Sequence, residues 1–255
     1  MKKTIFNGLH KEAGAKMVEF AGYEMPIQYP KGIIHEHKIV REKVGVFDVT
    51  HMGEFEVRGK DALAYIQKIT INDASKLTPG KVQYSAFCLP GGGIVDDLLV
   101  YRFEDYFMLV VNGANIDKDY AWCQKNLEGF DAELKNVTDE INLLAVQGPR
   151  SLDTLQKLTG TDMSVIQFYN YELGKLAGVD MIISRTGYTG ELGFELYFRG
   201  GLKEAEQVWN SVFQAGKEFG IEPVALGCRD TLRLEKCYSL YGNDIDETTN
   251  PIEAG

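Results

Sequence analysis

Three short stretches of this chain place charged side chains where they could do chemistry. In RTGYTGELGFELYF (185–198) a Gly-rich turn feeds a run whose period-2 alternation puts Phe194, Leu196 and Phe198 on one face and Glu195 with Tyr197 on the other. Glu195 is then either an ordinary acid on a solvated sheet face or a carboxylate held inside an apolar run for a task. In IVDDLLVY, neighbouring strand residues point to opposite faces, so one carboxylate of Asp96-Asp97 shares a face with Ile94, Leu98 and Val100 and the other with Val95, Leu99 and Tyr101. Either both acids sit exposed at the strand's start beside the glycine turn, or at least one approaches a desolvated surface, where a charge usually has a partner or a role. In GCRDTLRLEKC, Arg229 and Arg233 lie four apart on one helical face, with Asp230 and Glu235 as candidate intrahelical partners. The acceptor-rich LYGNDIDETTNP that follows is not explained by a charged helix face.

Other chemistries are disfavoured by what the sequence does not contain. Gly91-Gly92-Gly93 and Gly187/Gly190/Gly193 each precede strand-like sequence, so they read as hairpin glycines and not as a phosphate loop or a dinucleotide fingerprint. Neither G-x-S-x-G nor H-E-x-x-H occurs. His35 and His37 lie two apart, which on a helix separates their faces, and Cys88, Cys123, Cys228 and Cys237 form no C-x-x-C pair, so no metal site is expected. Twenty-seven basic against 37 acidic residues give a net charge of −10, which disfavours nucleic acid and anionic membranes as partners. With no apolar window of transmembrane length and no pattern of paired cysteines, the 255 residues read as a reduced, cytoplasmic chain.

The elements that must position these residues follow from periodicity. Residues 2–45 read as mostly helical and irregular, 61–70 as a helix beginning near Asp61, and 82–89, 94–103 and 106–112 as a three-strand antiparallel meander. Residues 115–127 read as a helix with Asn115 as N-cap, and Pro149 as the first position of another. Strands near 169–173, 176–184 and 192–198 precede two further helices. Hairpin connections in place of strict βαβ alternation predict an α+β fold of two mixed helix and antiparallel-sheet domains.

Taken in order, HMGEFEVRG, GGGIVDDLLVY, NLLAVQGP, SRTGYTGELGFE and GCRDTLRLE followed by LYGNDIDETTNPIEAG resemble the aminomethyltransferase (T-protein) family of the glycine cleavage system. The resemblance runs from KMVEFAGYEMPIQY to the last residue. It implies a discontinuous first domain of about 1–49 and 140–255, an inserted α+β domain of about 50–139, and a C-terminal β-barrel domain that is absent from this chain. It further implies tetrahydrofolate as one-carbon acceptor and, as partner, the lipoylated H-protein carrying the aminomethyl group, with release of ammonia. Asp97 then corresponds to the catalytic residue, Glu195 to the acid that clamps the pterin edge, and Tyr188 to a pocket wall. Met52, Tyr84, Asn112, Arg229 and Tyr238 correspond to the other folate contacts. The alternative is a folate-binding module without aminomethyl transfer, like relatives that serve iron–sulfur assembly or tRNA modification; those carry K-G-C-Y-x-G-Q, which Lys236-Cys237-Tyr238 echoes only briefly.

Overall fold

The computed structural model describes all residues 1–255, which divide into two compact units: 1–51 with 140–238, and 52–139 with 239–255. The first unit begins with α1 (Asn7–Glu12), the hairpin β1 (Lys16–Phe20) and β2 (Tyr23–Gln28), α2 (Ile33–Glu42) and β3 (Gly45–Asp48). The hairpin corrects the helical expectation for this region. Its turn uses Ala21 (φ 51°) and Gly22 (φ 80°), two successive left-handed residues of the kind a tight hairpin needs, and Ala is not a residue that announces such a turn.

The second unit holds β4 (Gly53–Arg58), α3 (Ala62–Ile69), the meander β5 (Lys81–Cys88), β6 (Ile94–Arg102) and β7 (Tyr106–Val111), then α4 (Ile116–Lys125) and β8 (Glu133–Asn136). These strands form one antiparallel sheet in the order β5-β6-β7-β4-β8. One face buries Phe55, Val57, Leu98, Val100 and Leu109 against Tyr65, Ile66 and Ile69 of α3 and Cys123 of α4. Asp96 lies opposite Phe87 and Ile94 opposite Cys88, so Val95 is an extra, unpaired residue: a β-bulge just before the two aspartates.

The chain then returns to the first unit with β9 (Asn142–Gln147), α5 (Ser151–Leu155), β10 (Tyr171–Leu176), β11 (Val179–Ser184), β12 (Gly193–Phe198), α6 (Leu202–Gly216), the two-residue β13 (Glu222–Pro223) and α7 (Leu226–Glu235). Pro149 precedes α5 by two residues and does not open it. The sheet order is β10-β11-β12-β9-β3-β13, antiparallel except for β13 on β3. Phe194, Leu196 and Phe198 of β12 enter a core with Leu144 and Val146 of β9 and Val208, Trp209 and Val212 of α6. Each such side chain, fully removed from water, contributes about 1.5–3 kcal/mol, so the phase of β12 is fixed by its apolar face. That phase forces Glu195 and Tyr197 to the other face.

The last segment, ending in α8 (Pro251–Ala254), belongs with the second unit, against the expectation that 239–255 stays with the first domain. The Ile94 N–H donates to the carbonyls of Asp246 (3.1 Å) and Thr249 (3.0 Å), the Tyr241 hydroxyl donates to the Ile94 carbonyl (3.1 Å), and Ile245 packs on Ala86 and Ile94. The acceptor-rich run thus supplies partners for the start of β6.

Candidate functional site

In the first unit, Glu195 sits on the second face of a central strand, between Ser184 of β11 and Ala145 of β9, and is only 7% exposed. A carboxylate there needs donors. The Thr186 hydroxyl and, at 3.4 Å, the Tyr197 hydroxyl both donate to its Oε2. Burial pushes the Glu195 carboxyl above its ordinary value, opposed by Thr186 and by the charge of Arg229 on α7. The Arg229 guanidinium lies 4.6 Å from the centroid of the Tyr188 ring, over its face, and Tyr188 stacks on Tyr238 with centroids 5.8 Å apart and planes at 23°. Arg229 itself is shifted down by burial, with Glu195 opposing. Glu195, Arg229, Tyr188 and Tyr238 are therefore brought together.

The turn ahead of β12 is held by Gln147 and Arg41. Gln147 accepts from the Thr189 hydroxyl (2.9 Å) and donates to the Thr186 carbonyl (3.2 Å). A Cβ at Gly187 or Gly193 would run into the Gln147 amide and displace it from these hydrogen bonds. Arg41 of α2 donates to the Thr189 carbonyl (2.6 Å) and pairs with Glu191 (3.0 Å) and Glu235 (2.9 Å), tying the turn to α7. Beside the turn lies a cavity of about 330 Å³, lined by Phe168, Arg185, Thr186, Gly187 and Tyr238 among others.

Two residues of this unit were not singled out from sequence. Thr186 is buried and bonded to Glu195; its signal was its place two residues after β11. His51 is 3% exposed, makes an edge contact to Phe20 with centroids 5.3 Å apart, and has no donor or acceptor at Nδ1. Burial, and next the Arg229 charge, pull its imidazole well below the ordinary value, so it is neutral at pH 7. Arg233 bonds Asp230 (2.9 Å), the intrahelical partner the sequence offered, and the Tyr238 carbonyl (3.2 Å), whereas Glu235, the other one offered, goes to Arg41. His35 and His37 are engaged by Glu222 (2.9 Å) and Thr231 (2.8 Å).

In the second unit, the bulge leaves Asp96 on the face of Leu98 and Val100, fully buried, and Asp97 on the other face. Asn112, just past β7, joins them: its Nδ2 donates to Asp96 Oδ1 (2.9 Å) and Asp97 Oδ1 (2.8 Å). The Tyr84 hydroxyl donates to Asp97 Oδ2 (3.0 Å). Burial, then the charge of Asp96, push the Asp97 carboxyl up to about 6, with Asn112 and Tyr84 working against the shift. Asp97, Asn112 and Tyr84 thus form one cluster; Met52 starts this unit, half-buried, and none of these hydrogen bonds involves it. Asn115 does not cap α4 with its side chain but donates to Asp96 Oδ1 (2.9 Å), a correction that follows from the stronger demand of a buried carboxylate. Asp119 on α4 was also missed, although it interrupts the apolar stripe Ile116, Tyr120, Cys123.

Each of the two α+β units holds a shielded carboxylate fixed by neutral donors, Glu195 in the first and Asp97 in the second. Residues 6–255 match the family described as GCVT N-terminal domain, and the chain belongs to that family, among its aminomethyltransferases. It is similar to the aminomethyltransferase of Bacteroides thetaiotaomicron (57% identical over the whole chain and 70% of that protein) and to that of Flavobacterium psychrophilum (52%, with the same coverage). The structure resembles the glycine cleavage system aminomethyltransferase T of Bartonella henselae with a TM-score of 0.89, 35% identity, and coverage of 98% of this chain and 67% of that one. These relatives support aminomethyl transfer over a folate module without it.

Proposed function

We propose that this chain transfers the one-carbon unit of an aminomethyl group, held on the lipoyl arm of the H-protein, to tetrahydrofolate, releasing ammonia and giving methylenetetrahydrofolate. The observation that carries the reading is Glu195: a buried carboxylate on the second face of β12, its Oε2 fixed by the Thr186 and Tyr197 hydroxyls, with Arg229 and Tyr188 beside it. A pterin edge offers a ring N–H beside an amino group, two parallel donors that suit a fixed carboxylate, so the residues present fit this acceptor. Tyr188, Tyr238 and Arg229 supply flat faces and a charge next to that acid; Met52 is proposed as a folate contact on the family resemblance alone.

Asp97 is proposed as the catalytic residue, held by Tyr84 and Asn112. A carboxylate in a water-poor setting stabilises positive charge developing on the one-carbon unit as its bond to nitrogen or sulfur breaks. With a carboxyl near 6 it also takes or returns a proton close to neutral pH. No helix is long and apolar enough to cross a membrane, and we propose a cytoplasmic setting.

The test is a titration of the chain with tetrahydrofolate, followed by measurement of ammonia release with aminomethylated H-protein. Saturable binding and folate-dependent ammonia release are expected. Binding without release would favour the folate-module reading, and neither would overturn both.

A further inference from the structure

Asp119 is absent from the chemistry proposed above, yet it is one of the most unusual groups in the second unit. It lies in the first turn of α4, a place that by itself favours a carboxylate. It is fully buried, and neither oxygen meets an N–H or O–H of the protein. What it meets is the carboxyl of Asp96. Two carboxyls in contact without donors between them are stable only if one carries a proton.

Hydrogen-bond accounting assigns that proton. Asp96 already accepts from the Asn112 N–H (3.3 Å), Asn112 Nδ2 (2.9 Å) and Asn115 Nδ2 (2.9 Å), so the N–H donors that reach this pair all go to Asp96. Asp119 has none of this, so it is the acid. The charged and titratable groups facing the pair are Asp97 on β6, Lys118 and the buried Cys123 thiol on α4, and Tyr241 in the tail segment; Lys118 is drawn off toward the Val95 carbonyl and lies over the Tyr241 ring, near which Glu247 of the same segment also acts. Tyr84 on β5 is spent on Asp97. Burial first, and then the Asp96 contact and its charge, accordingly push the Asp119 carboxyl well above the ordinary range, with Lys118 opposing.

We propose that Asp119 is a positioning residue for the transfer reaction: it stays the neutral acid, donates its proton to Asp96, and through the Asn112 amide that bridges Asp96 and Asp97 it sets the charge and orientation of Asp97. The inference rests on the role proposed for Asp97, but its protonation can be read without turnover. No net proton is consumed. With one proton shared between the Asp96 and Asp119 carboxyls, Asp97 faces one negative charge across the Asn112 amide in place of two.

Carboxyl carbon NMR on the whole chain labelled at aspartate, across pH 4–10, is the test. In the parent chain Asp119 is expected to remain protonated through pH 7 while Asp97 titrates in one step near 6. In Asp119→Leu, Asp96 loses its proton donor and its charge acts on Asp97 undiminished, so the Asp97 step is expected to move up in pH. In Asp119→Asn, whose amide can still donate, the parent's step should return. In turnover, Asp119→Leu should lower kcat about tenfold with KM for tetrahydrofolate within about twofold, the pattern of a group acting on the reacting centre and not on binding, and the Asn variant should rescue it. An Asp119 carboxyl that titrates in the ordinary range, an Asp97 step unmoved in Asp119→Leu, or an Asn variant as impaired as the Leu variant overturns the proposal. If the NMR result holds but Asp97→Asn turns over normally, the role of Asp97 is what fails.

Discussion

Arg229 lies over the face of Tyr188, 4.6 Å from its centroid, and its charge reaches two buried groups in opposite senses. It works to keep Glu195 ionised and to keep His51 neutral. Replacing it with leucine removes both influences at once. Arg229→Leu should therefore raise the titration midpoints of Glu195 and of His51 together, read by carboxyl carbon and imidazole proton NMR. If the His51 midpoint stays where it was, the electrostatic link between α7 and that imidazole is absent.

Glu195→Gln keeps shape and one acceptor but loses the charge. A hydrogen bond to a charged group contributes about 1.5–3 kcal/mol, so tetrahydrofolate should bind roughly 10- to 150-fold more weakly by calorimetric titration. Folding stability should change little, because burial already works against the ionised form. Unaltered affinity would remove the clamp role.

The alternation in FELYF revealed which face of β12 meets the core, and the meander from 82 to 112 was legible from its apolar runs and glycine turn. Composition could not show that the second face of β12 is also covered, because Thr186, Tyr188 and Arg229 come from a turn and a distant helix. Alternation put Asp96 and Asp97 on opposite faces, but which face is the buried one is set by the packing of α3 and α4, which leaves no composition signal. The β1–β2 hairpin hid behind an Ala-Gly turn, and the Asn115 side chain, a plausible cap locally, was claimed by a carboxylate 19 residues away in sequence. Local preference gave way wherever a buried acid required donors.

Asp97→Asn should bind tetrahydrofolate about as well as the parent and lose transfer, since the amide cannot hold negative charge. In the parent chain the carboxylate is the form that stabilises developing positive charge. The transfer rate should accordingly rise with pH through about 6, as Asp97 loses its proton, and flatten above that. A stopped-flow pH profile that is level from 5 to 7 would contradict this assignment.

His10 and Asp48 form a buried pair in the first unit, 2.9 Å apart, with Thr4 donating to the same carboxylate at 2.6 Å and Tyr29 on the other imidazole nitrogen at 2.9 Å. Burial works to raise the Asp48 carboxyl, but the hydrogen bond and charge of His10 outweigh it and hold the carboxyl low. A carboxyl that is lower in the folded than in the unfolded chain binds fewer protons when folded. Its contribution is present in full above the unfolded value of about 3.9 and is lost as pH falls from there toward the folded value. Asp48→Asn gives the His10 and Thr4 donors a poorer acceptor, should cost about 1–3 kcal/mol at pH 7, and should flatten that part of the acid dependence. Urea unfolding at pH 7 and at pH 3 measures both.

Gly93 tests whether the tail truly anchors β6. A Cβ there would run into the backbone carbonyl of Glu247, which cannot rotate aside as a side chain tip would. Gly93→Ala should therefore push the 246–249 backbone away, leaving the Ile94 N–H without the Asp246 and Thr249 carbonyls and the Tyr241 hydroxyl without its acceptor. Overpacking of this kind costs about 1–3 kcal/mol. Because Ile94 opens the strand that carries Asp96 and Asp97, catalytic transfer should fall while the core of the sheet, held by Leu98 and Val100, survives. Limited proteolysis should then cut within 239–255 well before it cuts elsewhere, and a tail as protected as the parent's would mean that the backbone yields more easily than the close approach at Gly93 requires.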